Sequence, residues 1–114
     1  MIRTLALIFL FNSSVASSAV LNGHAFLEAL NSNEREQVMF ATGYIASVVD
    51  TWNGRKEPAY LNKCFILPSD VTIADLVPLV AYYLQSVPSI LRYTASYSVW
   101  LALAAQYPGE SCTD

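Results

Sequence analysis

Between Ile73 and Tyr107 the chain carries apolar residues at helical spacing on both sides of a single Val87-Pro88 break. No other feature constrains the fold as much. Ile73, Leu76, Val77, Val80, Leu84 and Val87 form one stripe, and Thr72 with Asp75 offers a cap at its start. Pro78 lies inside this segment and removes the amide that would bond to residue 74, which predicts a kink. Proline is favoured at the first position of a helix, so Pro88 is expected to begin a last helix running to about Tyr107. Two helices of similar length across so short a break fold back as an antiparallel hairpin. The last one is apolar nearly all round, with Leu91, Ala95, Val99 and Ala102 on one side and Ile90, Tyr97, Leu101 and Ala104 on another. Such a helix is either central to a small domain or shared with a second subunit. Val99, Trp100, Leu101 and Leu103 lie at successive angles around it, and the expectation is a two-fold homodimer through these four.

Two further helices precede the hairpin. Asn22 is placed to cap a short one whose Phe26, Leu27 and Leu30 share a stripe. After the turn Asn31-Ser32-Asn33, Asn33 and Glu36 have the spacing of a capping box. Val38, Ala41, Thr42, Ile45, Val48, Val49 and Trp52 then recur at i, i+3, i+4 and i+7. Asn53-Gly54 ends this helix, because glycine accepts the left-handed conformation there. Residues 55–71 read as an irregular connection; "YLNKCFIL" within it has extended character but no evident mate. The fold expected is all-α, a small four-helix bundle.

The first residues set the compartment. Arg3, the apolar run Leu5–Phe11 and the small polar stretch after it have the three-part pattern of a secretory signal peptide. Seven strongly apolar residues fall far short of the roughly 20 that span a bilayer. Cleavage is expected after Ala19, with Ala16 the other position, giving a signal peptide over 1–19 and one helical domain over 20–114. That domain has about 95 residues, enough for a single core. Removing Arg3 leaves five basic residues against nine acidic ones, which argues against nucleic acid or anionic lipid as partner. Two cysteines in an exported chain most simply form one disulfide. Cys64 lies before the third helix and Cys112 after the fourth, so a bond would tie the two open ends of the hairpin. Two free thiols or an intersubunit bond are the alternatives.

Catalytic sets are missing from the sequence. His24 is the only histidine, and no Ser-His-Asp set, metal-spaced His/Cys cluster or glycine-rich phosphate loop is present. Asp50, Asp70 and Asp75 are explained at least as well by caps and solvated turns. No enzyme activity, cofactor or metal is expected.

Four stretches occur in one order: "GYIASVVD" (43–50), "C…P…VT" (64–72), "LVPLVAYYLQSVP" (76–88) and "ASYSVWLALAAQYP" (95–108), before a final cysteine. Together they resemble the Rap/Tai family of immunity proteins of type VI secretion systems, across nearly the whole mature chain. Ser47 stands where the family pattern has a second glycine, and Val87 where it has a histidine before Pro88. Many members carry two further cysteines, at sites that fall here near Leu30 and Ala41. Joint loss of those two implies that they pair with each other, which leaves Cys64 with Cys112. Cys64 lies two residues earlier than the pattern and Cys112 three later, the matched displacement of a bonded pair.

The resemblance implies a periplasmic, all-helical, dimeric protein that binds a peptidoglycan amidase effector and obstructs its Cys-His active site without catalysis. On that reading the expected effector-binding face is the turn of the hairpin, where Tyr82, Tyr83, Gln85, Ser86, Ser89, Arg92 and Tyr93 cluster; tyrosine and arginine are frequent interface anchors. A reading from another class is a periplasmic acid-stress chaperone, also small, helical and disulfide-bonded. An exported enzyme is the third.

Overall fold

Helix starts in this chain are set by short polar side chains. The computed structural model describes residues 20–56, 63–110 and 112, so the expected signal peptide lies outside the described residues. Helix α1 spans Gly23–Leu30, α2 Arg35–Trp52, α3 Ile73–Ser86 and α4 Ala95–Gln106, with a 3-10 turn at Pro88–Ile90. Asn22 caps α1 by accepting from the Ala25 amide (2.9 Å). At α3 the Thr72 hydroxyl accepts from the Asp75 amide while the Asp75 carboxylate accepts from the Thr72 amide, a complete capping box. Hydrogen bonding from the Thr72 amide, and after it from the Thr72 side chain, holds the Asp75 carboxyl below its usual pKa. Gly54 follows α2 at φ 80°, as the Asn53-Gly54 pair predicts.

Two starts differ from expectation. Helix α2 has Glu34 at its cap position and no side-chain cap. The Ser32 hydroxyl accepts from the Glu34 amide instead (2.9 Å), turning the chain one residue past Asn33. The last α-helix begins at Ala95 rather than Pro88. Pro88 opens only the 3-10 turn, and the Thr94 hydroxyl caps α4 at the Tyr97 amide (3.3 Å). Helix α3 continues through Pro78, which lies on its exposed side.

The stripes face inward as read: Phe26 and Leu30 of α1, Ala41, Ile45 and Val48 of α2, Leu76, Val80 and Leu84 of α3 are all buried. Every helix contacts the other three, and α4 is the most buried of them. Ala95, Ser98, Val99, Trp100, Ala102, Leu103 and Ala104 are buried on it. Small residues between the large ones let three helices approach at once, so most of its circumference is buried inside one chain, while Ser96, Ala105 and Gln106 stay exposed. Of the residues expected at a homodimer contact, Val99, Trp100 and Leu103 therefore offer no surface to a second copy. Val99, Trp100 and Leu103 are fully buried in the single chain and Leu101 is half-buried.

Cys64 and Cys112 form the disulfide, with 6.4 Å between their Cα atoms. The segment before α3 also has a mate. Phe65 bridges to Pro108, the Ile66 amide donates to the Tyr107 carbonyl (3.0 Å) and the Gly109 amide to that of Cys64 (3.1 Å). A Cβ on Gly109 would come within 2.7 Å of Cys112 Sγ, so glycine is what lets the tail lie against the bond.

Candidate protein-binding site

The turn between α3 and α4 is bonded on its inner side and open on its outer side. Its backbone is held from three directions. The Gly23 amide donates to the Tyr93 carbonyl (2.9 Å) and the His24 amide to that of Leu91 (3.1 Å), so the free amides at the start of α1 are spent on this turn. The Ala95 amide donates to Leu21 (2.7 Å) beside a bridge between Asn22 and Thr94. From beneath, the buried Ser98 hydroxyl donates to the Ile90 carbonyl (3.0 Å). A Cβ on Gly23 would meet the Leu91 Cα and carbonyl oxygen at 2.8 Å and Ser98 Oγ at 2.9 Å. Only glycine permits the helix to close on the turn so tightly.

On the outer side stand the residues expected to bind. Tyr82 is 73% exposed, and Tyr93 is also exposed. Gln85, Ser86, Ser89 and Arg92 are exposed, while Tyr83 is half-buried against the core. The Ser86 hydroxyl donates to the Tyr82 carbonyl (2.8 Å), tying its side chain to its own helix. Arg92 donates to the Tyr93 hydroxyl (3.3 Å), and its guanidinium lies 5.2 Å from the centre of that ring. Tyr93 meets Tyr97 edge-on at 5.3 Å, and Tyr97 stacks on the buried Trp100 at 5.9 Å. A row of rings thus runs from the core to Arg92 and limits the motion of the outermost one. The turn brings Arg92 and Tyr93 together; no hydrogen bond or ring contact joins Tyr82 to either.

Chemically this surface can recognise a protein by aromatic contact, hydroxyl bonds and one cation. Among the described residues no group of three or more His, Cys, Asp or Glu is placed to hold a metal ion, and His24 is exposed at the start of α1. No helix among them is long and apolar enough to cross a membrane.

Sequence reading misses a second exposed region. Met39 and Phe40 of α2 are 60% and 53% exposed. The available signal is that both fall off the buried stripe of their helix, which runs through Ala41, Ile45 and Val48.

Against protein-family models, one described as Rap1a immunity proteins matches residues 19–109. No curated protein and no solved structure matches.

Proposed function

Since the chain belongs to the Rap1a immunity protein family, we propose that it acts by binding, as the periplasmic immunity protein against a type VI secretion peptidoglycan amidase. The leader over 1–19 is removed after export, and the domain over 20–114 folds and closes its disulfide in the periplasm. The turn between α3 and α4 then enters the effector's cleft, with Tyr82, Arg92 and Tyr93 as the main contacts. The observation that carries this reading is the pairing of exposed anchors with a backbone already fixed. Because Gly23, His24 and Ser98 hold the turn before any partner arrives, little ordering entropy is left to lose on binding.

The resemblance to Rap/Tai proteins carries a homodimer into the proposal as well. Its contact has to use exposed residues, since Val99, Trp100 and Leu103 are buried in the single chain. The chaperone reading finds less support. Acid-driven opening needs buried carboxylates that charge the core or lose partners, and Ser98 is the buried polar residue among the described ones. The test is co-expression in the periplasm with a type VI secretion peptidoglycan amidase, taken from beside the gene where the genome encodes one there. Survival and a co-purifying complex support the proposal. Lysis with no complex, while the protein suppresses aggregation of unrelated proteins at low pH, overturns it in favour of the chaperone.

A further inference from the structure

Helices α1 and α2 meet over an open groove of about 470 Å³, lined by none of the residues assigned above to effector binding. Leu21, Ala25 and Ala29 come from the first arm and Phe40 from the second, giving it apolar walls. Glu28 and Glu34 line it as well, and no lysine or arginine does. Neither carboxylate takes part in an ion pair among the described residues. Phe40 is the outer member of a second row of rings, 6.0 Å from Tyr44, which is 5.2 Å from the buried Phe26. Its ring is therefore steadied from the core side and left uncovered on the groove side.

One turn beyond Phe40, Gly43 is exposed in mid-helix, and a Cβ there would meet nothing within 4 Å. A glycine inside a helix is unfavourable relative to alanine, and no packing in this chain requires it. It leaves uncovered backbone on the exposed side of α2, one turn from Phe40.

The geometry points to a docking site for a basic segment of a partner protein, with one arginine or lysine side chain lying along the groove. The occupant follows from complementarity. Such a side chain has an apolar stem, suited to Leu21, Ala25 and Ala29, and a cationic head, suited to two unpaired carboxylates. The Phe40 face adds attraction for the same cation. An anionic or purely apolar occupant would leave Glu28 and Glu34 opposed or desolvated without a partner. The excess of acidic over basic residues in the mature chain steers a basic segment in the same sense. This site does not depend on the immunity reading, and its test needs no amidase.

The test is a titration of the isotope-labelled, disulfide-bonded protein at low salt, followed by amide chemical shifts. The probe is the peptide acetyl-Gly-Leu-Arg-Ala-Arg-Gly-amide, with its bis-citrulline analogue as the neutral control. Shifts confined to Ala25, Glu28, Gln37 and Phe40 are expected, weakened at least about tenfold for citrulline and for the E28Q/E34Q double variant. They should also fade as salt rises. Both glutamates are exposed, and an otherwise unchanged spectrum certifies that the variant is folded. The proposal is overturned by an absence of groove shifts at millimolar peptide. It is equally overturned by equal binding of the citrulline peptide or by unchanged affinity in E28Q/E34Q. Concentration-dependent groove shifts without peptide would assign the site to a second copy of the chain and overturn it too.

Discussion

The two ends of the α3–α4 hairpin are fastened by opposite means. At the open end the fastening is covalent, Cys64 to Cys112, and both cysteines are buried. At the turn it is a set of backbone hydrogen bonds from α1 and a buried serine, with Tyr82, Arg92 and Tyr93 left outside. Each end depends on a glycine, Gly109 against the sulfurs and Gly23 against the Leu91 backbone. The difference separates two tasks. The open end has only to stay closed, so its groups turn inward. Under the proposed function the turn has to stay rigid while offering Tyr82, Arg92 and Tyr93, and its main chain carries the bonding while these side chains remain exposed.

Removing the covalent fastening should have the largest effect. Cys64→Ser is expected to lower stability by about 2–5 kcal/mol, because a closed loop of this length restricts the unfolded chain considerably. Denaturant unfolding checks this, and an unchanged midpoint would mean that the tail is held by its backbone bonds alone.

Gly23→Ala attacks the other end. The added methyl meets main chain that has nowhere to retreat, so a loss of about 1–3 kcal/mol is expected. Faster amide exchange at Tyr93 and Ala95 should accompany it. Gly43→Ala is the control: with open space around the new Cβ it should raise helix stability by up to about 1 kcal/mol.

How much of this contrast the sequence carries depends on the range of the interactions involved. The caps at Asn22 and Thr72, the stripes of α2 and α3 and the left-handed Gly54 are local, and local pattern reveals them. The start of α4 is not local. Pro88 suits a 3-10 turn as well as an α-helix, and the choice falls to Thr94 because the Leu91 and Tyr93 carbonyls are taken by α1, some 70 residues earlier. The mate of Phe65 is likewise remote, in a tail with no strand periodicity. Apolarity all round α4 fits a shared helix and a central one equally; the alternation of small and large side chains that decides for the centre has meaning only once the neighbours are placed. For the turn, sequence spacing locates Arg92 and Tyr93 together, but the ring row to Trp100 that steadies them emerges only in three dimensions.

A smaller effect is expected at the α3 cap. Thr72→Ala should cost about 1 kcal/mol near neutral pH. The Thr72 amide and hydroxyl lower the folded-state pKa of Asp75, so its contribution is present above the ordinary carboxylate value of about 3.9. It is lost as pH falls from there through the lowered folded value. The difference in melting temperature between wild type and Asp75→Ala should accordingly shrink as the buffer is taken from about pH 6 to below pH 3. A constant difference would detach it from the carboxylate's charge.

The smallest effect on folding belongs to the exposed side chains of the turn, and there the central claim is most directly tested. Tyr82→Ala and Arg92→Ala should change stability by no more than about 0.5 kcal/mol. Calorimetric titration of a type VI secretion peptidoglycan amidase, the partner class proposed above, with wild type, Tyr82→Ala, Arg92→Ala and Tyr93→Ala separates holding from offering. The account predicts that wild type binds, and that at least one variant loses about 2 kcal/mol or more of affinity while its melting temperature stays near that of wild type. Wild-type protein that fails to bind, or three folded variants that all bind as wild type does, would contradict it.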